Sequence, residues 1–200
     1  MSGRNLLALA FIAFAFLSCG RAVDEAVTLA SGGADLPDSR WDHRPESDIW
    51  TEATLEALGA HGAPLVAMVP RDIDRYCPAY AARGAEDRKA FWVNFIASLA
   101  RHESTYRPEV SGGDGRWHGL LQIAPATARG YGCTAESARG LKNGALNLSC
   151  GVRIMARTVA RDGVISAGMR GVAADWGPFH QPRKREDIQS YTRGLDVCRA

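Results

Sequence analysis

Glu103 is the residue of this sequence whose surroundings point most directly to chemistry. It shares a helical stripe with Trp92, Phe95, Ile96 and Leu99, at the i, i+3, i+4 spacing that places residues on one face. It also stands at the C-terminal end of the helix that this spacing predicts over 85–104. Both circumstances oppose ionisation. Apolar neighbours desolvate the carboxylate, and the negative end of the helix dipole faces it. A carboxyl kept protonated near neutral pH is what a general acid for glycosidic cleavage requires. The bland alternative is a Glu whose side chain curls out to solvent at the helix end.

Other chemistries fail on spacing. His102-Glu103 opens like a zinc-binding HExxH, but Tyr106 stands where the second His is needed. There is no GxSxG nucleophile elbow. The glycine-rich run from Gly113 to Gly119 lacks a preceding strand and a following Lys-Ser/Thr. Five histidines are scattered without ligand spacing, so no metal and no cofactor are expected. Lys and Arg number 24 against 22 Asp and Glu, a net charge of +2. That is too balanced for a protein that holds nucleic acid by neutralising phosphates.

The elements that must position Glu103 are mostly helical. Helical patterning begins near Thr51. A second helix is expected between Pro64 and Tyr80, broken at Pro70 or Pro78. After the 85–104 helix, Pro108 and the Ser111-to-Gly115 cluster mark a loop, and Leu120 to Ile123 is a short apolar piece. A helix should start at the Pro125 turn and stop by Gly130 or Gly132. Asn147 is taken as the N-cap of a helix burying Leu148, Val152, Met155 and Val159. A short helix over 167–175 and a last one over 185–196 complete the chain. Strand-like alternation is scarce. With 200 residues, 46% hydrophobic and 23% charged, one globular domain of mostly α class follows, with very little strand.

Residues 1–22 read as a signal peptide. Arg4 supplies a positive n-region, and Leu6 to Leu17 is an uncharged apolar run too short to span a bilayer. Two exits fit. Phe16-Leu17-Ser18-Cys19 resembles a bacterial lipobox, which would lipidate Cys19 and anchor the protein to a membrane, with Gly20 suiting the outer membrane. Gly20-Arg21-Ala22 resembles an ordinary cleavage site, in which case Cys19 need not be retained. Either exit exports the chain, to the periplasm of a diderm bacterium. Residues 23–45, rich in Ser, Gly, Asp and Pro, read as a flexible linker to a domain over 46–200.

Four further motifs stand in order around Glu103. Glu103-Ser104-Thr105-Tyr106-Arg107-Pro108 resembles the E-S-x-F/Y-x-P of the lytic transglycosylases of the SLT type, related to goose-type lysozyme. Gly119-Leu120-Leu121-Gln122-Ile123 is similar to that family's G-L-M-Q-I, and Pro125-Ala126-Thr127-Ala128 to its P-A-T-A. Asn147-Leu148-x-x-Gly151 resembles its N-I-x-x-G. The resemblance covers about 90–195 and implies a lysozyme-like α+β domain acting on peptidoglycan glycan strands. It implies that Glu103 protonates the glycosidic oxygen after N-acetylmuramic acid and then serves as base for the sugar's own C6 hydroxyl, closing a 1,6-anhydro ring. An intramolecular nucleophile replaces the second carboxylate of ordinary glycosidases. It further implies that Gln122 and the backbone at Leu120 hold the glycan, that Ser104 orients Glu103 or a sugar substituent, and that Tyr191 lies beside the catalytic Glu.

The family's A-Y-N-A-G is replaced by Ala173-Ala174-Asp175-Trp176-Gly177, with neither Tyr nor Asn. Trp176 is a stacking face in its stead or a core aromatic, and Trp117 stacks on a sugar or covers the core. Asp114 and Asp175 are the only acids of these loops, and neither matches a catalytic position of the family. A hydrolytic lysozyme on the same scaffold and an inactive peptidoglycan-binding lipoprotein are the competing readings.

Cys77, Cys133, Cys150 and Cys198 remain after the signal, an even number that an oxidising compartment would pair. Of three connectivities, Cys133–Cys150 with Cys77–Cys198 is expected. The first pair flanks the polar, glycine-punctuated 135–146 connection. The second would hold down a chain end that otherwise frays.

Overall fold

The computed structural model describes residues 36–199. The expected signal peptide, Cys19 and linker residues 23–35 lie outside the described residues. Residues 36–45, also expected within the linker, belong to the packed domain. Trp41 is fully buried, donates its indole N–H to Thr51 at 2.9 Å, and meets Trp50 edge-on. Arg40 forms a forked pair with Asp187 at 2.8 and 2.9 Å. A linker assignment from composition misses this because one buried Trp outweighs many polar neighbours.

The chain runs α1 (Ser47–Gly59), α2 (Ala63–Ala67), two 3-10 turns (Ile73–Arg75 and Tyr80–Ala82), then α3 (Ala85–Ser104). A small hairpin follows, β1 (Ser111–Gly112) with β2 (Trp117–His118), then α4 (Pro125–Tyr131), α5 (Ala138–Leu141) and α6 (Gly144–Asp162). A second hairpin pairs β3 (Ser166–Ala167) with β4 (Arg170–Gly171). Two 3-10 turns (Val172–Ala174 and Gly177–His180), α7 (Pro182–Arg193) and a last 3-10 turn (Asp196–Cys198) close the chain. The architecture is the expected one: mostly helical, with two-stranded ribbons as its only described sheets.

α3 is the axis. Every residue from Phe91 to Ala100 is buried, as in a core helix rather than a one-faced surface helix. Phe91, Trp92 and Phe95 interlock edge-on, and Phe95 stacks on Phe179 with centroids 5.6 Å apart. The buried polar side chains of α3 itself are satisfied, whereas the buried Tyr76 hydroxyl packed nearby has no partner among the described residues. Trp92 donates to the Tyr80 hydroxyl at 2.9 Å, and Ser98 bonds back to the Asn94 carbonyl.

Three expected elements are corrected. The second helix ends at Ala67, well before Pro70, and the remainder to Tyr80 is irregular chain and turns, with one 3-10 turn at Ile73–Arg75 and the start of another at Tyr80. The helix expected to start at Asn147 starts a turn earlier. Asn143 is its N-cap, accepting from the Leu146 N–H at 3.0 Å, while Asn147 is wholly buried inside the first turn. The helix expected over 167–175 is instead the second hairpin and a 3-10 turn. Gly171 adopts φ 65° against the Ile165 carbonyl, where any Cβ would collide, so this turn demands glycine.

Both expected disulfides are present, Cys77–Cys198 and Cys133–Cys150. The first ties the C-terminal turn to the segment before α3. The second ties the end of α4 to α6.

Candidate active site

A cleft of about 350 Å3 opens at the C-terminal end of α3. Glu103 and His102 line it from α3, Trp117 and Gln122 from the first hairpin and the loop after it. Asp175 to Pro178 come from the 3-10 region, and Gln181 and Lys184 from the start of α7. An adjoining lobe of about 50 Å3 shares Trp117, Gln122, Asp175 and Trp176, and continues to Thr127 of α4 and Ile154 of α6. The two adjoin along the wall they share, with Glu103 on the larger.

Glu103 reaches the cleft because α3 stops abruptly behind it. Thr105 and Tyr106 both take left-handed backbone conformations, φ 52° and 59°. For a β-branched Thr this is a strained choice, held by the Thr105 N–H bond to the Arg101 carbonyl. Burial pushes the Glu103 carboxyl up to about 7, with the Lys184 ammonium opposing. Glu103 is therefore largely protonated just below neutral pH, poised to donate.

His102, beside it, is fixed by Asp187 of α7 at 2.8 Å. Asp187 also takes Arg101 at 3.1 Å and the Arg40 fork. These cations, Arg40 first, hold the Asp187 carboxyl down at about 2. Burial lowers the His102 pKa in spite of that partner, so its ring is neutral near pH 7.

The loop carrying Gln122 is clamped from beneath. His118 and Ile123 exchange two backbone hydrogen bonds of 3.0 Å. Buried Asn147 accepts from the Leu121 N–H at 2.8 Å and donates to the carbonyls of His118 and Leu141 at 3.0 and 2.9 Å. A Cβ on Gly119 would strike Asn147 and Leu141, and one on Gly151 would strike Leu121. The Asn147 and Gly151 motif thus supports the floor of the cleft. Gln122 itself sits at φ 49° with its Nε2 donating to the carbonyls of Gly119 at 2.8 Å and Val110 at 3.3 Å; its Oε1, beside Gly112, accepts no hydrogen bond among the described residues.

The residues expected at the site separate into two groups. Glu103, Gln122, Trp117 and Trp176 border the cleft. Trp117 is 42% exposed, with the Arg116 guanidinium over its ring and Gly113 packed against it. Trp176 is almost fully buried. Its indole N–H bonds the Leu121 carbonyl at 2.9 Å, so it builds the wall rather than offering a stacking face.

The other group lies elsewhere. Leu120, expected to hold the glycan through its backbone, buries its side chain in the core and is not among the residues that line the cleft. Ser104 is buried with its hydroxyl on the Ala100 carbonyl, turned away from the cleft. Tyr191 does not lie beside Glu103, because its hydroxyl bonds Asn94 at 3.1 Å and Arg40 covers its ring. The reason is register. Asp187 meets His102, and Tyr191, one turn on, meets Asn94, so α7 runs antiparallel to α3. The residue brought to Glu103 lies one turn before Asp187, and it is Lys184.

Sequence reasoning passed over His102, Gln181 and Lys184, for which nothing local gives a signal. Asp175 had one. In the alignment of Ala173-Ala174-Asp175-Trp176-Gly177 with A-Y-N-A-G it takes the Asn position. Asp114, the other loop acid, is exposed in the β1–β2 turn and does not line the cleft.

Comparison with known proteins agrees with this geometry. The family model described as the transglycosylase SLT domain matches residues 81–170, from the start of α3 to the second hairpin. A solved structure of wild-type DslA is 28% identical, with a TM-score of 0.74, covering 81% of this chain and 98% of that one. A Glu-to-Gln mutant of DslA gives the same identity and TM-score over 80% and 97%. A dITP/XTP pyrophosphatase of Aromatoleum aromaticum is 43% identical over 49 residues only. The chain spans 23% of the length of that curated relative.

Proposed function

Because the chain belongs to the transglycosylase SLT family, we propose that it is an exported enzyme cleaving the β-1,4 bond between N-acetylmuramic acid and N-acetylglucosamine in peptidoglycan, leaving 1,6-anhydro ends. The observation that carries this reading is Glu103: a carboxyl raised to about 7 by burial, bordering the cleft at the end of α3. Protonated, it gives its proton to the glycosidic oxygen as the bond to the muramyl C1 breaks. As a carboxylate it takes the C6 hydroxyl proton while that oxygen closes on C1. No water is consumed. Binding holds the C6 oxygen close to C1, and that proximity substitutes for an external nucleophile.

Trp117 supplies an apolar face for a sugar ring, and the Gln122 Oε1 accepts from a sugar hydroxyl or amide. Digestion of purified sacculi, followed by mass spectrometry of the released muropeptides, tests the reading. Anhydro products are lighter by one water than hydrolytic ones. Glu103→Gln should reduce their release by at least ~10²-fold. Near-normal release would end the assignment. Export is tested by fractionating cells that express the wild type and Cys19→Ala. Release of the variant from the membrane fraction supports a lipid anchor, and a soluble periplasmic wild type supports cleavage after Ala22.

A further inference from the structure

The anhydro route uses one carboxyl, yet two border the cleft. Asp175 follows the Val172–Ala174 turn and touches both lobes of the groove, so a glycan seated over Glu103 and running on toward α4 passes it. Its position is fixed from three sides. Its N–H bonds the Val172 carbonyl at 3.2 Å, the next residue's indole is tied to Leu121, and His180 holds the Ala173 carbonyl at 2.7 Å. The carboxyl is not spent on the fold. No side chain or backbone N–H among the described residues bonds it, and desolvation raises its pKa against the opposing charge of Arg161. An Asn in its place, as the family pattern has, could not accept a proton from water, whereas a carboxylate can. Glycosidases that consume water pair a protonated carboxyl with a carboxylate base in this way.

We infer that the cleft also supports hydrolysis, with Asp175 as the general base for water. The inference rests on Glu103 being the general acid. Glu103 protonates the glycosidic oxygen, and the bond from that oxygen to the muramyl C1 breaks, the electron pair leaving with the departing sugar. The oxygen of a water molecule bonds to C1, and one of its protons passes to the Asp175 carboxylate. That proton returns through solvent to Glu103. One water is consumed, and the glycosidic bond becomes two hydroxyls. The anhydro route shares the acid step and differs in nucleophile and base, so Asp175 sets the ratio of the two products.

The test uses the full-length protein as wild type, Asp175→Asn, Asp175→Ala and Glu103→Gln. Sacculi are digested and the products reduced with borohydride, which converts hydrated ends to alditols and leaves anhydro ends intact. Wild type should yield both ends. Both Asp175 variants should lower the hydrated-to-anhydro ratio at least ~10-fold, a conservative share of what a general base supplies. The ratio is internal to each digest, so a partly folded preparation does not move it. Wild type yielding anhydro ends alone, an unchanged ratio in either variant, or variants yielding neither product would each overturn the inference. Glu103→Gln as active as wild type would instead sink the proposed function.

Discussion

The burial that equips Glu103 for catalysis should cost stability, and the cost has a defined sign and pH window. In the folded protein the carboxyl titrates at about 7, against an ordinary value of 4.5. Between these two values the folded state holds a proton that the unfolded state has lost. Raising the pH through that window therefore favours unfolding. At 1.36 kcal/mol per pH unit the shift amounts to about 3 kcal/mol once the pH is above 7. Glu103→Gln keeps the shape and removes the titration. It should match wild type near pH 4.5 and exceed it by about 3 kcal/mol at pH 8.5. In a domain of this size that is roughly 10 °C in Tm. Thermal unfolding of both proteins at half-unit steps from pH 4.5 to 8.5 measures it, with muropeptide release assayed alongside. A difference that stays flat with pH, or a variant less stable than wild type at pH 8.5, would refute the claim that Glu103 is desolvated in the cleft.

Four further outcomes follow from the same geometry. Turnover of the wild type should fall as the pH rises above about 7, and Lys184→Met should move that limb upward, since the lysine charge favours the Glu103 carboxylate; pH–rate profiles of the two proteins check this. Trp117→Ala should lower kcat/KM about 2- to 10-fold with little change in Tm, because the ring is exposed and its worth is that of one stacking contact. Asn147→Ala strands three buried hydrogen-bonding groups and should cost about 3 kcal/mol or more in a denaturant titration, with activity lost as the Gln122 loop loosens. Replacing Cys77 and Cys198 together should cost roughly 5 kcal/mol, and Cys133 and Cys150 roughly 3, since the closed loops differ in length, with sequence separations of 121 and 17.

What the sequence determined by itself is local. The 3.6-residue period is a property of one segment, so α3 and the place of Glu103 at its end were legible without a fold, though not that every residue from Phe91 to Ala100 is buried. Pro125 marked the start of α4 for the same reason, being pre-set for a first turn, while the stop was open between Gly130 and Gly132 until the fold showed Gly132 taking φ 68°. Even so, a local signal misled at α6: Asn147 is the expected N-cap, but Asn143, one turn earlier, caps the helix and Asn147 is buried, which no local signal reports.

What only the tertiary structure decided is which elements face each other, and in what register. A residue's neighbours across an interface depend on where two helices cross. The antiparallel pairing of α7 with α3 carried Tyr191 to Asn94 and left Lys184 with Glu103. The bond of the Trp176 indole to the Leu121 carbonyl, between segments far apart in the chain, holds the neighbouring Asp175 at the cleft. Spacing along the chain named the acid. The residues that surround it, and so the value at which it titrates, come from contacts between segments up to 81 positions apart, as with Glu103 and Lys184, a separation at which the chain's own periodicity carries no information.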